Sequence, residues 1–412
     1  MISTFAALLA ATFLLQADDA GAATANPDES LLQFRLGDGV RLNTGPLRAR
    51  LRTRFHFDAA SEDLGDVFPD GFEIGSEPFE EGFGLRRARW LLDAQFVETS
   101  PLAPLSVRAQ LDFGQSEIRW LDLSADLALG SFLDASSSTW LRGGEFRETF
   151  GLEAMTSVTF LPFIERSIAT NAFTPGRNRG VQWNARGEQY GLSVGHFSAS
   201  RGEPFPDELG TERATTLHGF IEPEGTWLDQ FGVGVSIRRP GDDGIQFSAR
   251  PGTRLFEPVI DTGDIDADRA TLVSLEALRV RGATMVLAEA FGARLSGVGG
   301  ANFFGGHIAV THFLNGGNVV RRSDDGGLKA PNVPDLLSSD TAGSGAVELA
   351  LRTGWADLSD GPLSTGGRAF DVEAGVNWYF APGTRLMLHG LFVRGDGGAT
   401  GAALLSRIQL QL

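Results

Sequence analysis

The stretch "LRARLRTRFHF", residues 47–57, puts an arginine at every second position. Arg48, Arg50, Arg52 and Arg54 alternate with Leu47, Ala49, Leu51, Thr53 and Phe55. Successive side chains of a β-strand point to opposite faces. One face therefore carries four guanidiniums and His56, and the other is mostly apolar. Same-face neighbours lie about 7 Å apart. Four cations at that spacing cannot sit in a dry core, because unpaired buried charge is too costly. The strand needs water or acids on one side and something greasy on the other.

The same period of two recurs along the chain. In "LSVRAQLDF" (105–113), Leu105, Val107, Ala109, Leu111 and Phe113 alternate with Ser106, Arg108, Gln110 and Asp112. "LDLSADLAL" (121–129), "VQWNAR" (181–186), "VELALRTGW" (347–355) and "FDVEAGVNWYF" (370–380) repeat the pattern. At the end of the chain Ile408, Leu410 and Leu412 alternate with Arg407, Gln409 and Gln411. Turn-rich stretches such as "RRPGDDG", "APGTR" and "RGDGGATG" separate these segments. Helical periodicity is scarce, and no linker or shift of pattern marks a domain boundary.

Such alternation fits two all-β classes. A soluble sandwich packs its apolar face inside. A transmembrane barrel turns the apolar face to lipid and the polar one to a water-filled lumen. Strands near bilayer-crossing length, an alternating segment at the last residue, and Arg, Asp and Glu together on the polar faces favour the barrel. Only two tyrosines are present for aromatic girdles, although 30 Phe and seven Trp can substitute.

Composition narrows the function. Residues 1–25 contain the short apolar run "FAALLAATFLL" and then small residues, which reads as a secretory signal peptide. Residues 26–412 form a single domain. With no cysteine there is no disulfide framework and no thiol chemistry. Of 35 basic residues only Lys329 is lysine, and the formal charge is −17, which argues against a nucleic-acid partner. The six histidines show no metal-ligand spacing, so neither a metal nor another cofactor is expected. "GLSVG" (191–195) has the glycine–serine spacing of a hydrolase elbow, but an alternating strand runs through it and no strand–elbow–helix context follows. No enzymatic activity is expected.

Several stretches resemble the phosphate- and polyphosphate-selective porins of Gram-negative outer membranes: "LRRARW" (85–90), "GEFRETFGLEAMTS" (144–157), "FIERSIATNAFTPGRNRGVQ" (163–182), "FSARPGTR" (247–254), "DTGDIDAD" (261–268) and "FDVEAGVNWYFAPGTRLMLHGLFVR" (370–394). The resemblance implies a 16-stranded up-and-down antiparallel barrel in the outer membrane, narrowed by an inward-folded third loop and assembled as a homotrimer. It also implies passive passage of small inorganic anions of the phosphate class, with outer-membrane lipid and lipopolysaccharide around the wall. Carried over residue by residue, the family's paired arginines fall on Arg86 and Arg87, and their acidic partner falls on Asp122. The loop arginine falls on Arg166. Arg250 and Arg254 fall on an extracellular ladder, and Arg48, Arg50, Arg52 and Arg54 join the lining. Arginine suits the task, since it stays charged and its planar fork matches phosphate oxygens. In one departure, phosphate-selective members carry lysine directly after "GLE", where this chain has Ala154, and the family's lysine-rich periplasmic surface is missing.

Adjacent residues of a regular strand face opposite sides, so Arg86 and Arg87 can share a face only at a strand end or a bulge. Residues 58–81 hold nine acidic residues and no basic one, read as a solvated acidic loop. Asp264, Asp266 and Asp268 alternate like the start of a calcium loop, without its glycine and distal glutamate. Two alternatives stay open at this level: a general, weakly selective or cation-preferring porin, and a secreted β-rich carbohydrate-binding protein.

Overall fold

The computed structural model describes residues 31–44, 46–60, 82–97, 104–114, 118–130, 137–199, 212–224, 227, 229–242, 244–297, 300–317, 325–336, 343–360 and 366–412. Residues 1–25, and the acidic stretch from 61 to 81, lie outside them.

The chain begins with a hairpin, β1 (Leu32–Arg35) and β2 (Gly39–Thr44). The arginine-bearing stretch forms β3 (Leu47–Ala60). There follow β4 (Phe83–Phe96), β5 (Leu105–Asp112), β6 (Arg119–Gly130) and β7 (Ser138–Arg147). Two short helices come next, α1 (Leu152–Met155) and α2 (Ile168–Phe173). Then run β8 (Arg177–Arg186), β9 (Tyr190–Ala199), β10 (Arg213–Ile221) and β11 (Gln230–Arg239). A small hairpin, β12 (Ile245–Ala249) and β13 (Ile260–Ile265), precedes β14 (Arg269–Arg281), β15 (Thr284–Ser296) and β16 (Ala301–Asn315). The last four are β17 (Ala346–Asp357), β18 (Arg368–Ala381), β19 (Thr384–Arg394) and β20 (Thr400–Gln411).

Every strand from β3 to β11 and from β14 to β20 pairs antiparallel with its neighbours. The sheet closes where β20 pairs with β3, Gln411 opposite Arg54 and Leu405 opposite Ala60. That makes a 16-strand barrel without free edges, the form in which strands can cross a bilayer. The lower half of β3 pairs with β2 instead, from Leu51 opposite Val40 to Leu47 opposite Thr44.

The faces are inverted relative to a soluble protein. Ile237, Leu275, Ile308, Leu351, Leu388 and Leu404 are exposed on the outer wall. Their sequence neighbours Ser236, Ser274, His307, Arg352 and His389 are buried inside. Ile408 and Leu412 face out while Gln409 and Gln411 face in, as the alternation requires. Phe304, Trp355, Phe370 and Phe392 lie outside near the loop ends of β16 to β19 and make an aromatic girdle without tyrosine. "GLSVG" is an uninterrupted part of β9.

Turns such as 282–283 and 382–383 mark one end of the barrel, which also holds Leu412. Short turns define the periplasmic side, so the longer loops are extracellular. One periplasmic connection, between β16 and β17, is long, and its residue Leu328 is buried inside the barrel with Leu152, Phe163, Met285 and Leu287.

The loop between β7 and β8, residues 148–176, is the third extracellular one and folds into the barrel. Its Phe150, Ile168 and Phe173 pack against Phe291 and Phe303 of the wall. Phe173 stacks on Phe291 with ring centres 6.1 Å apart. Phe247 and Ile260 of the β12–β13 hairpin cover the same cluster from the fifth extracellular loop, between β11 and β14. Ser167 starts α2 by accepting a hydrogen bond from the Thr170 amide.

Candidate functional site

The inward loop is held by its backbone. The carbonyls of Leu161, Pro162 and Glu165 accept from Arg385 (2.6 Å), Asn377 (2.8 Å) and Arg352 (2.9 Å). Gln409 donates to Thr159 at 3.1 Å, and Arg407 to Ile164. Buried carbonyls need partners, and the β17–β20 wall supplies one to each of these. Arg352, Arg385 and Arg407 are thereby fully buried and committed to the loop. The free passage is left along β3 to β8.

That passage holds a cavity of about 840 Å³. Thirteen arginines and Lys329 line it, against five acids: Asp112, Asp122, Asp126, Glu165 and Asp325. A recess of about 1030 Å³ toward the periplasm adjoins it, lined by Arg41, Arg48, Arg50, Asp93, Arg108 and Arg142 among others.

The ladder on β3 is graded along its length. Arg48 is exposed at the periplasmic end. Arg50 pairs with Asp38 (3.0 Å) and reaches Asp93 at 3.5 Å. Arg52 pairs with the same Asp93, which also accepts from Arg108 at 2.8 Å. Arg54 is buried and has neutral partners, Gln411 at 2.9 Å and Ser157 of the loop at 3.1 Å.

Arg86 and Arg87 do share a face, through a bulge. Arg87 lies opposite His56 and Leu85 opposite Phe57, so Arg86 is the extra residue. Both converge on Glu165, Arg87 at 2.7 Å and Arg86 at 3.3 Å. Their acidic partner is thus Glu165 of the inward loop. Asp122, placed in that role by the resemblance, binds Arg177 at 2.8 Å instead. Burial pushes the Glu165 carboxyl up, but Arg87, Arg86 and Arg407 outweigh it and hold it well below the usual carboxylate range.

Arg166 braces the loop. It donates to the carbonyls of Glu153 (3.2 Å), Ala154 (3.0 Å) and Thr156 (2.7 Å), closing the end of α1. Burial pulls its guanidinium down to about 10, opposed by Glu153 and Glu165, so it remains charged at neutral pH. Arg254 lines the cavity, and Arg250 pairs with Glu257 at 3.3 Å outside it. Ala154 also lines the cavity.

Residues beyond the sequence-based set complete the lining. Arg89 pairs with Asp112, and Arg142 with Asp126, each at 2.7 Å. Arg147, at the end of β7, lines the cavity with no hydrogen bond or ion pair among the described residues. The charges acting on it include Arg166, Arg177, Asp122 and Arg89. Strand parity with Arg87 marks Arg89, but nothing local marks Arg147, whose setting depends on how the next loop folds. Asp264, Asp266 and Asp268 are exposed and form no cation-binding group among the described residues.

A closed 16-strand barrel with an apolar outer wall, a polar interior and a loop folded into its bore is an outer-membrane porin. Solved porins share the fold: the outer-membrane protein OmpT of Vibrio cholerae, in a loop L8 deletion form, has a TM-score of 0.56 at 11% identity, over 89% of this chain and 100% of that one. OprB of Pseudomonas putida gives 0.54 at 8% identity, over 89% and 94%. The anion-selective porin of Comamonas acidovorans gives 0.51 at 10%, over 89% and 99%. No match was found among curated protein sequences. The family model of the phosphate-selective porins O and P matches residues 105–396, and the chain belongs to that family. It is a channel of the Gram-negative outer membrane.

Proposed function

We propose that this porin conducts small anions passively, with modest preference for them over cations and weak affinity for phosphate. One observation carries the reading: the bore's cavity is lined by thirteen arginines and Lys329 against five acids. Arg54 and Arg147 add charge that no carboxylate among the described residues cancels by direct contact. Most of the other guanidiniums are already paired, which keeps the preference modest. Ala154, in the position where phosphate-selective members hold lysine, removes one further cation from the lining. The paired arginines suit transient exchange, since a passing anion can replace a carboxylate on a guanidinium without dehydrating it anew. We further propose a homotrimer with lipid against the apolar wall; a V. cholerae OmpT structure that shares the fold is described as a trimer form.

The reversal potential of the purified protein in a planar bilayer under a potassium chloride gradient tests the reading. An anion-selective potential is expected, shifting little when phosphate is added at millimolar concentration. A cation-selective potential would overturn it.

A further inference from the structure

Behind the inward loop, away from the cavity, three buried side chains from three elements converge: Glu153 of α1, Glu289 of β15 and His307 of β16. One potential ligand atom from each lies within 4.8 Å of the other two. The His307 Nε2 is buried without a hydrogen-bond partner. It faces Glu289 Oε2 at 3.5 Å and Glu153 Oε2 at 3.9 Å.

The other ring nitrogen shows which tautomer is present. The Ser167 hydroxyl donates to Thr170 Oγ1 at 2.9 Å. Its hydrogen is therefore used, and its oxygen can only accept from His307 Nδ1, 3.0 Å away. With the proton on Nδ1, Nε2 presents a bare lone pair to two carboxylates. Three lone pairs converging in a dry pocket repel unless a positive charge lies between them.

A proton on Nε2, or on either carboxyl facing it, fits the distances poorly, since such bonds run to about 3.2 Å. A zinc-class ion fits better: bonds of about 2.0–2.2 Å in tetrahedral geometry put neighbouring ligand atoms about 3.3–3.5 Å apart. The 3.5 Å edge already matches, and the 3.9 Å edge needs to close by a few tenths of an ångström. Charge also balances. Arg352 touches Glu153 through the other carboxylate oxygen, at 2.9 Å, and its own charge is met by Glu373 at 2.6 Å. Two carboxylates and a neutral imidazole are left for one divalent ion. Hydrogen bonds to the backbone hold the ligands in place, as metal sites require. Glu289 accepts the Leu152 and Glu153 amides at 2.6 and 2.9 Å, and Glu153 accepts the Ser167 amide at 2.9 Å.

We propose that Glu153, Glu289 and His307 form a binding site for a divalent transition metal of the zinc class, which pins the inward loop to the barrel wall. The ion would take one nitrogen and two oxygens from the protein and a water in its fourth position. The site is separate from the anion passage, and its test does not depend on selectivity.

The detergent-solubilised wild-type barrel is refolded with Zn²⁺, passed over a desalting column and assayed for metal. About one zinc per chain is expected. Refolding with Co²⁺ in its place should give the intense visible absorption of a tetrahedral site. His307→Gln, of similar size and still polar, should bring retained metal to background while the variant still shows heat-modifiable migration. Ser167→Ala leaves all three ligands and should weaken zinc affinity about 10- to 100-fold by freeing the imidazole. Wild type that retains no zinc or cobalt overturns the site. So does His307→Gln that retains as much as wild type, or a weak, octahedral-type cobalt spectrum.

Discussion

Asp58 and Arg407 form a bidentate ion pair, 2.6 and 2.7 Å, directly across the seam where the first barrel strand meets the last. Neither is exposed. The same guanidinium donates to the loop carbonyl of Ile164 and to Glu165 at 3.0 Å. Closure of the barrel and docking of the constriction loop therefore share one side chain.

That sharing makes Arg407 a costly residue to lose. Removing one partner of a buried pair costs about 3–5 kcal/mol, because the other charge stays behind unpaired. Arg407→Met should therefore lower the urea midpoint of the folded barrel sharply. Adding Asp58→Asn should recover part of the loss, since it removes the stranded carboxylate. A double variant no more stable than Arg407→Met alone would show that the loop contacts of Arg407, and not the pair, carry the energy.

Glu165 sets an acid limit on the docked loop. Its carboxyl is held well below the ordinary range by Arg87, Arg86 and Arg407. A depressed folded-state value contributes stability that is fully present above the unfolded value of about 4.3. The contribution fades as pH falls through the folded value. Urea midpoints should be flat with respect to this group from about pH 8 to pH 5 and fall in stronger acid. Glu165→Gln should be less stable at neutral pH and show a smaller drop in acid. An equal acid drop in that variant would assign the effect to other groups.

The wall can be tested face against face. Leu351 is 52% exposed midway along β17, whereas Ser106 lines the cavity. An arginine on the lipid face costs about 2–4 kcal/mol at mid-bilayer. Leu351→Arg should depress the yield of folded barrel, while Ser106→Arg should fold as wild type. Equal yields would contradict the assigned faces.

The barrel was legible because a strand half in lipid and half in water writes a period of two into the sequence. The bulge at Arg86 was legible as a steric alternative, because two adjacent arginines cannot share a face otherwise. The partners were not. Glu165 meets Arg86 and Arg87 only because a loop of some thirty residues turns inward, and nothing at residue 165 encodes that contact locally. The same holds for Arg352, Arg385 and Arg407. On their strands they look identical to Arg50 or Arg52, yet they hold loop carbonyls while the β3 arginines face the passage. Arg166 shows the opposite case: the resemblance marks it as an anion ligand, and three backbone carbonyls occupy it.

Selectivity is where local and net charge disagree most. The chain carries −17, but residues 61–81 hold eight of its acids. Screening reaches about 10 Å at 0.1 M salt, so an ion in the bore responds to the groups lining the cavity. Among the described residues, Arg54 and Arg147 have no carboxylate in contact, as is also true of Arg119, Arg166 and Arg254, while most of the remaining lining arginines share theirs. Neutralising an arginine already paired with an acid leaves that acid exposed and changes local charge by one unit. Neutralising Arg54 or Arg147 changes it equally but leaves no new acid to bind cations. Arg54→Gln with Arg147→Gln should therefore move the reversal potential toward zero, and Arg89→Gln, which frees Asp112, should move it further for a single substitution than either of those alone. Single-channel conductance should change little, because glutamine fills similar space. The ordering is checked by reversal potentials of wild type, the two single variants, their double and Arg89→Gln under one salt gradient. If Arg54→Gln with Arg147→Gln leaves the anion preference at its wild-type value, these two arginines do not set selectivity.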